Sequence, residues 1–98
     1  MTRLFAVLRE YGPGFVSGQP LEAQPGWPAH ARFMDDLEAE DFVLLAGPLG
    51  EAEDVLLVMR ADDAAHIERR LADDPWAANG VLVTRRIATW TLRIGSLA

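Results

Sequence analysis

Residues 42–59 read Phe42-Val43-Leu44-Leu45-Ala46-Gly47-Pro48-Leu49-Gly50-Glu51-Ala52-Glu53-Asp54-Val55-Leu56-Leu57-Val58-Met59. Two continuous apolar runs, 42–47 and 55–59, flank a Gly-Pro-Leu-Gly turn that is followed by acidic residues. This pattern predicts a β-hairpin. Neither run alternates, so each strand is apolar on both faces and must be covered on both sides.

The chain before the hairpin supplies a helix, a loop and a strand. Proline suits the first helical position, where its missing N–H is no loss, so a helix is expected to start near Pro28 with Trp27 as its cap residue. His30, Phe33, Met34 and Leu37 follow as one stripe of a 3.6-residue period. The helix should end around Glu40-Asp41. Leu4–Leu8 reads as a short strand ending in Arg9-Glu10. Residues 10–27, dense in glycine and proline, read as one long loop, either a lid over a site or a plain surface connection.

Beyond the hairpin, Asp62 can cap a second helix with Ala64, Ile67 and Leu71 on its inward stripe. Asp74-Pro75-Trp76-Ala77-Ala78-Asn79-Gly80 reads as a single extra turn closed by Gly80. A last strand should run from about Leu82 to Ile94. Strict alternation puts Leu82, Thr84, Arg86, Ala88 and Trp90 on one of its faces and Val83, Arg85, Ile87 and Thr89 on the other.

The resulting order, β-α-β-β-α-β, is the ferredoxin-like pattern of an α+β protein: one antiparallel sheet with two helices on one face. The opposite face, fed by Val43 and Leu45 or by Leu44 and Ala46, stays apolar. Large exposed apolar patches are rare on monomers. A homodimer formed by stacking two open sheet faces is therefore expected.

Composition narrows the function classes. The 98 residues fit one domain, 1–98. With no cysteine, a thiolate nucleophile and Cys-based metal sites are excluded. The net charge is −6, and all nine basic residues are arginine. The only adjacent basic pairs are Arg69-Arg70 and Arg85-Arg86, too few for a nucleic-acid partner, and the negative charge disfavours an anionic membrane. No secretory or membrane-spanning run is visible, which points to a cytoplasmic protein.

Two side chains stand out as candidates for chemistry. His30 shares the apolar stripe of its helix and lies in the first turn, where the helix dipole disfavours imidazolium. It reads as a general base or as a core-edge histidine bonded to backbone. Asp74 continues the inward stripe Ala64, Ile67, Leu71. It reads as the partner of a histidine or as the cap of the turn at Pro75. Spacing alone does not bring the two together. His66, beside Glu68, Arg69 and Arg70, reads as solvated helix face. Ser17 and Gly12-Pro13-Gly14 lack the context of a nucleophile elbow or a phosphate loop. Trp27, Trp76 and Trp90 fit either the core or the wall of a pocket for a flat ligand.

Three segments together carry a resemblance: Trp27-Pro28-Ala29-His30-Ala31-Arg32-Phe33-Met34, Leu45-Ala46-Gly47-Pro48-Leu49, and Leu71-Ala72-Asp73-Asp74-Pro75-Trp76 with Gly80 after it. Over nearly its whole length the chain resembles the YciI-like (YCII-related) family of dimeric α+β barrel proteins. The resemblance implies a ferredoxin-like fold, a dimer, and a pocket with a catalytic His–Asp pair, which falls on His30 and Asp74. Arg9 falls where a subgroup carries a pocket-facing arginine.

The expectation is then an enzyme in which His30 moves a proton on a small anionic or enolisable substrate and Asp74 orients it. Arg9 would pair with a substrate carboxylate or enolate oxygen, and Trp76 and Pro48 would line the substrate site. No cofactor and no metal are expected. Hydrolysis, isomerisation and elimination all fit such a dyad. The alternatives are a non-catalytic ligand-binding or assembly module and, by fold analogy only, a cofactor-free monooxygenase.

Overall fold

Strand β1 (Arg3–Tyr11) sets the two faces of the sheet, because Phe5, Val7 and Arg9 are buried while Leu4, Ala6 and Leu8 between them are half-buried. The structure, a computed structural model, describes residues 1–51 and 54–97, so part of the acidic stretch of the hairpin turn lies outside the described residues. After β1 come helix α1 (Trp27–Ala39), strands β2 (Val43–Pro48) and β3 (Asp54–Ala61), and helix α2 (Ala64–Leu71). The short helix α3 (Pro75–Ala78) and strand β4 (Leu82–Thr89) complete the fold.

The four strands lie in the order β2-β3-β1-β4, all antiparallel to their neighbours. This is the ferredoxin-like α+β arrangement that the hairpin and its flanking helices predict. The core lies between sheet and helices: Phe5, Val7, Leu57 and Met59 from the central strands meet Leu37 of α1, Ile67 and Leu71 of α2, and Trp76 of α3. The expected inward stripe of α2 is in place, with Ile67 fully buried and Leu71 nearly so.

Several local expectations are corrected. Gly26, not Trp27, is the cap residue of α1; it sits at φ 81°, in the left-handed region that glycine adopts without steric cost. Asp63, not Asp62, caps α2, its carboxylate accepting from the His66 N–H. β1 runs on to Tyr11, and the following loop contains a 3₁₀ turn at Leu21–Ala23, so it is neither as long nor as irregular as expected.

Two β-bulges overturn strict alternation. Leu8 pairs with Arg86 but Arg9 pairs with Thr84, which leaves Arg85 as an extra residue in β4. Residues directly opposite one another share a face. Thr84 therefore lies with Arg9 on the helix side, while Ile87 lies there with Val7. Each of the two expected faces of the last strand thus mixes both sides of the sheet, and β4 ends at Thr89 rather than Ile94. In β2, Val43 pairs with Met59 and Leu45 with Val58, so Leu44 is the extra residue. Val43 is buried under the helices and Leu45 is exposed on the open face. Bulges commonly re-aim side chains beside functional sites.

The open face carries Ala6 and Leu8 of β1, Leu56 and Val58 of β3, and Ala88 of β4, with Trp90 just beyond. No helix among the described residues is long and apolar enough to cross a membrane.

The loop after β1 presses directly on the chain before β4. The Gly12 N–H donates to the Val81 carbonyl and the Gly14 N–H to the Gly80 carbonyl, both at 2.9 Å. A Cβ on Gly14 would stand 2.0 Å from the Asn79 carbonyl oxygen, a backbone atom that cannot rotate away. Gly14→Ala is expected to lower the unfolding free energy by about 1–3 kcal/mol, the usual cost of overpacking. At Gly47 a Cβ would meet nothing within 4 Å. Urea denaturation of Gly47→Ala should accordingly stay within roughly 0.5 kcal/mol of the parent, and equal losses in the two variants would contradict the close-approach account.

Candidate active site

The alternation of β1 carries Arg9 under the helices, into the layer occupied elsewhere by Phe5 and Val7. A buried cation requires a paired anion. Asp74 supplies it: Arg9 Nη1 donates to Asp74 Oδ2 at 2.7 Å, with the two side chains 1% and 0% exposed. The other carboxylate oxygen, Oδ1, lies 2.8 Å from His30 Nδ1 and accepts from the Trp76 N–H at 2.9 Å. The two sequence readings of Asp74 are thus simultaneous. It caps α3 and it holds His30, through the same oxygen.

Each partner is fixed by its own element. Asp74 has an extended backbone (φ −65°, ψ 127°), and Pro75 opens the short helix behind it. His30 is in the first turn of α1, its N–H bonded to the Gly26 carbonyl at 2.9 Å. Its ring stacks on Trp76 with centroids 3.7 Å apart and planes 11° from parallel. Trp76 is held in turn by its indole N–H, which donates to the Pro25 carbonyl at 2.8 Å. The imidazole is therefore clamped edgewise by a carboxylate and across its face by an indole, support that keeps a side chain in one rotamer.

The electrostatics of Asp74 follow from these contacts. Burial opposes its ionisation most strongly. Hydrogen bonds from His30, Arg9 and the Trp76 N–H, together with the Arg9 charge, outweigh burial and hold the carboxyl below its ordinary value of 3.8. An ionised Asp74 accepts at His30 Nδ1, which assigns the proton of the neutral imidazole to Nδ1 and the lone pair to Nε2. Arg9 Nε is buried without a hydrogen-bond partner among the described residues.

A cavity of about 260 Å³ opens in front of this trio. Arg9, His30, Trp27, Trp76 and Pro48 all line it, and Asp74 lies behind His30 and Arg9. Its size is at the small end of ligand pockets. His66 packs against Phe42, with ring centroids 5.0 Å apart, and takes no part in the cavity. Trp90 lies at the open face of the sheet instead. Among the described residues no group of three or more His, Cys, Asp or Glu side chains is placed to hold a metal.

Sequence reasoning missed several of the lining residues. Leu21 and Glu22, on the 3₁₀ turn, form one rim, and Met34, Val55, Leu57 and Leu82 form the apolar floor. It also missed Gln24, a buried side chain that accepts from the Val16 N–H at 2.7 Å and donates to the carbonyls of Val16 and Gln19 at 3.0 Å. These bonds staple the loop into a closed turn, and the Tyr11–Phe15 stack at 3.8 Å secures its other end. No periodicity marks such residues. Only the density of glycine and proline marked the segment.

Comparison with known proteins adds the following. The model of the YCII-related domain matches residues 3–91. Among solved structures the fold is similar to 5-chloro-2-hydroxyhydroquinone dehydrochlorinase (TftG) from Burkholderia phenoliruptrix AC1100, determined in complex with 2,5-dihydroxybenzoquinone. That superposition has a TM-score of 0.67 at 21% identity and covers 90% of this chain and 93% of the other. At such identity the likeness is one of fold. No protein of curated function matches the sequence.

Proposed function

The chain belongs to the YCII-related domain family, and from that premise we propose that it is an enzyme in which His30 transfers a proton on a small enolisable substrate. The observation that carries this reading is the buried Arg9–Asp74–His30 chain, which spends Nδ1 on a carboxylate and leaves Nε2 as the nitrogen open to the cavity. Nε2 takes the proton of an enol or phenol O–H. The electron pair moves from oxygen onto a ring carbon, and the imidazolium returns the proton to that carbon. Asp74 keeps the tautomer and stabilises the imidazolium while it exists. Arg9 works through Asp74, as the group that holds the carboxylate ionised and in place.

A hydroxylated six-membered ring is the substrate type favoured by the cavity's two tryptophans, its apolar floor and its size. The name of the structurally similar dehydrochlorinase describes a ring of that type. The reading is tested by incubating the protein anaerobically in D₂O with 2-hydroxyhydroquinone. Loss of a ring C–H proton signal faster than in buffer is the expected result. Exchange at the buffer rate with this ring and with its chlorinated counterpart would sink the proposal.

The unit that works is proposed to be a homodimer. The open face presents Ala6, Leu8, Leu56 and Ala88 beside the exposed Leu45 and Trp90. A second copy stacked on it would remove this apolar surface from water at roughly 25 cal/mol per Å². Light scattering at micromolar concentration should give twice the chain mass of 10.8 kDa, and Leu56→Glu should halve it. A monomeric mass for the parent protein would contradict the dimer.

A further inference from the structure

The charges around the cavity constrain what can enter it. Arg9 is the sole cationic side chain of the described lining, and its charge is already matched by Asp74 at 2.7 Å. The one other charged lining residue is Glu22, at the rim on the 3₁₀ turn, exposed and with no ion-pair partner among the described residues. The Arg9 and Asp74 charges cancel as a pair, so among the described residues Glu22 is the unmatched charge at the cavity mouth, on a protein whose overall charge is −6.

We infer that the cavity admits its substrate as an uncharged hydroxyl compound and excludes carboxylate-bearing rings, with Glu22 as the specificity-determining residue. This rests on His30 as the base and names the substrate class for it. A neutral O–H donor enters without opposing the Glu22 charge. Proton transfer to Nε2 then creates the oxyanion and the imidazolium together, beside Asp74, so charge appears only as a pair inside the site. A pre-formed carboxylate would meet the Glu22 charge at the rim and find the Arg9 charge already taken. On this reading Arg9 serves Asp74, its ion-pair partner at 2.7 Å, rather than a substrate carboxylate.

The test compares hydroquinone with 2,5-dihydroxybenzoate, the same ring with and without a carboxylate. Binding is read from the indole N–H NMR signals of Trp27 and Trp76, at low ionic strength. The neutral ring is expected to bind at least about tenfold more tightly. Glu22→Gln should narrow that gap by roughly three- to tenfold, chiefly by tightening the carboxylate, because the change removes one unit of charge with little change of shape. Equal or tighter binding of the carboxylate by the parent protein overturns the inference, as does a gap unmoved by Glu22→Gln or the absence of a shift with either ring. These readouts report binding alone. A preference for the carboxylate would leave proton transfer by His30 standing, and unchanged turnover in His30→Ala would remove the base without touching the charge preference.

Discussion

His30→Ala should lower turnover by about 10²- to 10⁴-fold, the usual contribution of a positioned general base, while leaving the fold intact. The fold should survive because Asp74 keeps two other donors, Arg9 Nη1 and the Trp76 N–H. The variant loses the stack on Trp76 and leaves a gap at the cavity wall, where solvent or ligand can enter. A loss of about 1–2 kcal/mol in urea denaturation fits that partial exposure. His30→Gln keeps a polar side chain near Asp74 but supplies no base, so its turnover should be as low as that of alanine. Parental turnover in either variant, with circular dichroism unchanged, would remove His30 from the mechanism. Full loss of folding in both would instead mark the ring as structural.

Asp74→Asn acts on the fold as strongly as on the chemistry. The side chain is fully buried, and neutralising it strands the equally buried Arg9 guanidinium. Breaking one half of such a pair typically costs about 3–5 kcal/mol. For a domain of this size that corresponds to a fall in Tm of roughly 12 °C or more. Arg9→Met added to Asp74→Asn removes the stranded charge, so the double variant should recover part of the stability without recovering turnover. Additive losses would mean that the two side chains do not act as a pair.

The same carboxylate sets an acid limit. Its folded-state value lies below the ordinary 3.8, so its ionisation favours the folded state fully at pH values above the ordinary carboxylate range. That contribution fades as pH falls below about 4 and is gone once the folded-state carboxyl is protonated. Denaturation at pH 7 and pH 3 should therefore show a smaller difference in Asp74→Asn than in the parent protein. An identical difference would assign the acid sensitivity to other carboxylates.

Much of the fold was legible because it rests on local periodicity. The hairpin at 42–59, the stripe His30-Phe33-Met34-Leu37 and the stripe ending at Leu71 each follow from the repeat of a single element. The caps were off by one residue, since Gly26 and Asp63 compete with chemically plausible neighbours and backbone dihedrals decide between them. The bulges at Leu44 and Arg85 were invisible for a different reason. A bulge is a relation between two strands, and neither strand's own pattern records the extra residue.

The candidate site divides along the same line. By residue type and position, the sequence determined that few groups could carry acid–base chemistry: two histidines and no cysteine, with one histidine on an apolar helix face. For Arg9 it offered only a family resemblance, and the alternation of β1 that buries this side chain belongs to the structure. Only the tertiary structure decided that Arg9, His30 and Asp74, drawn from a strand, a helix start and a helix cap, converge within hydrogen-bond distance. It alone placed Glu22 at the rim and turned Arg9 toward Asp74. The physical reason is that burial sets partners by proximity across 44 and 65 residues of chain. Periodicity says which way a side chain points, and packing alone says what it meets there.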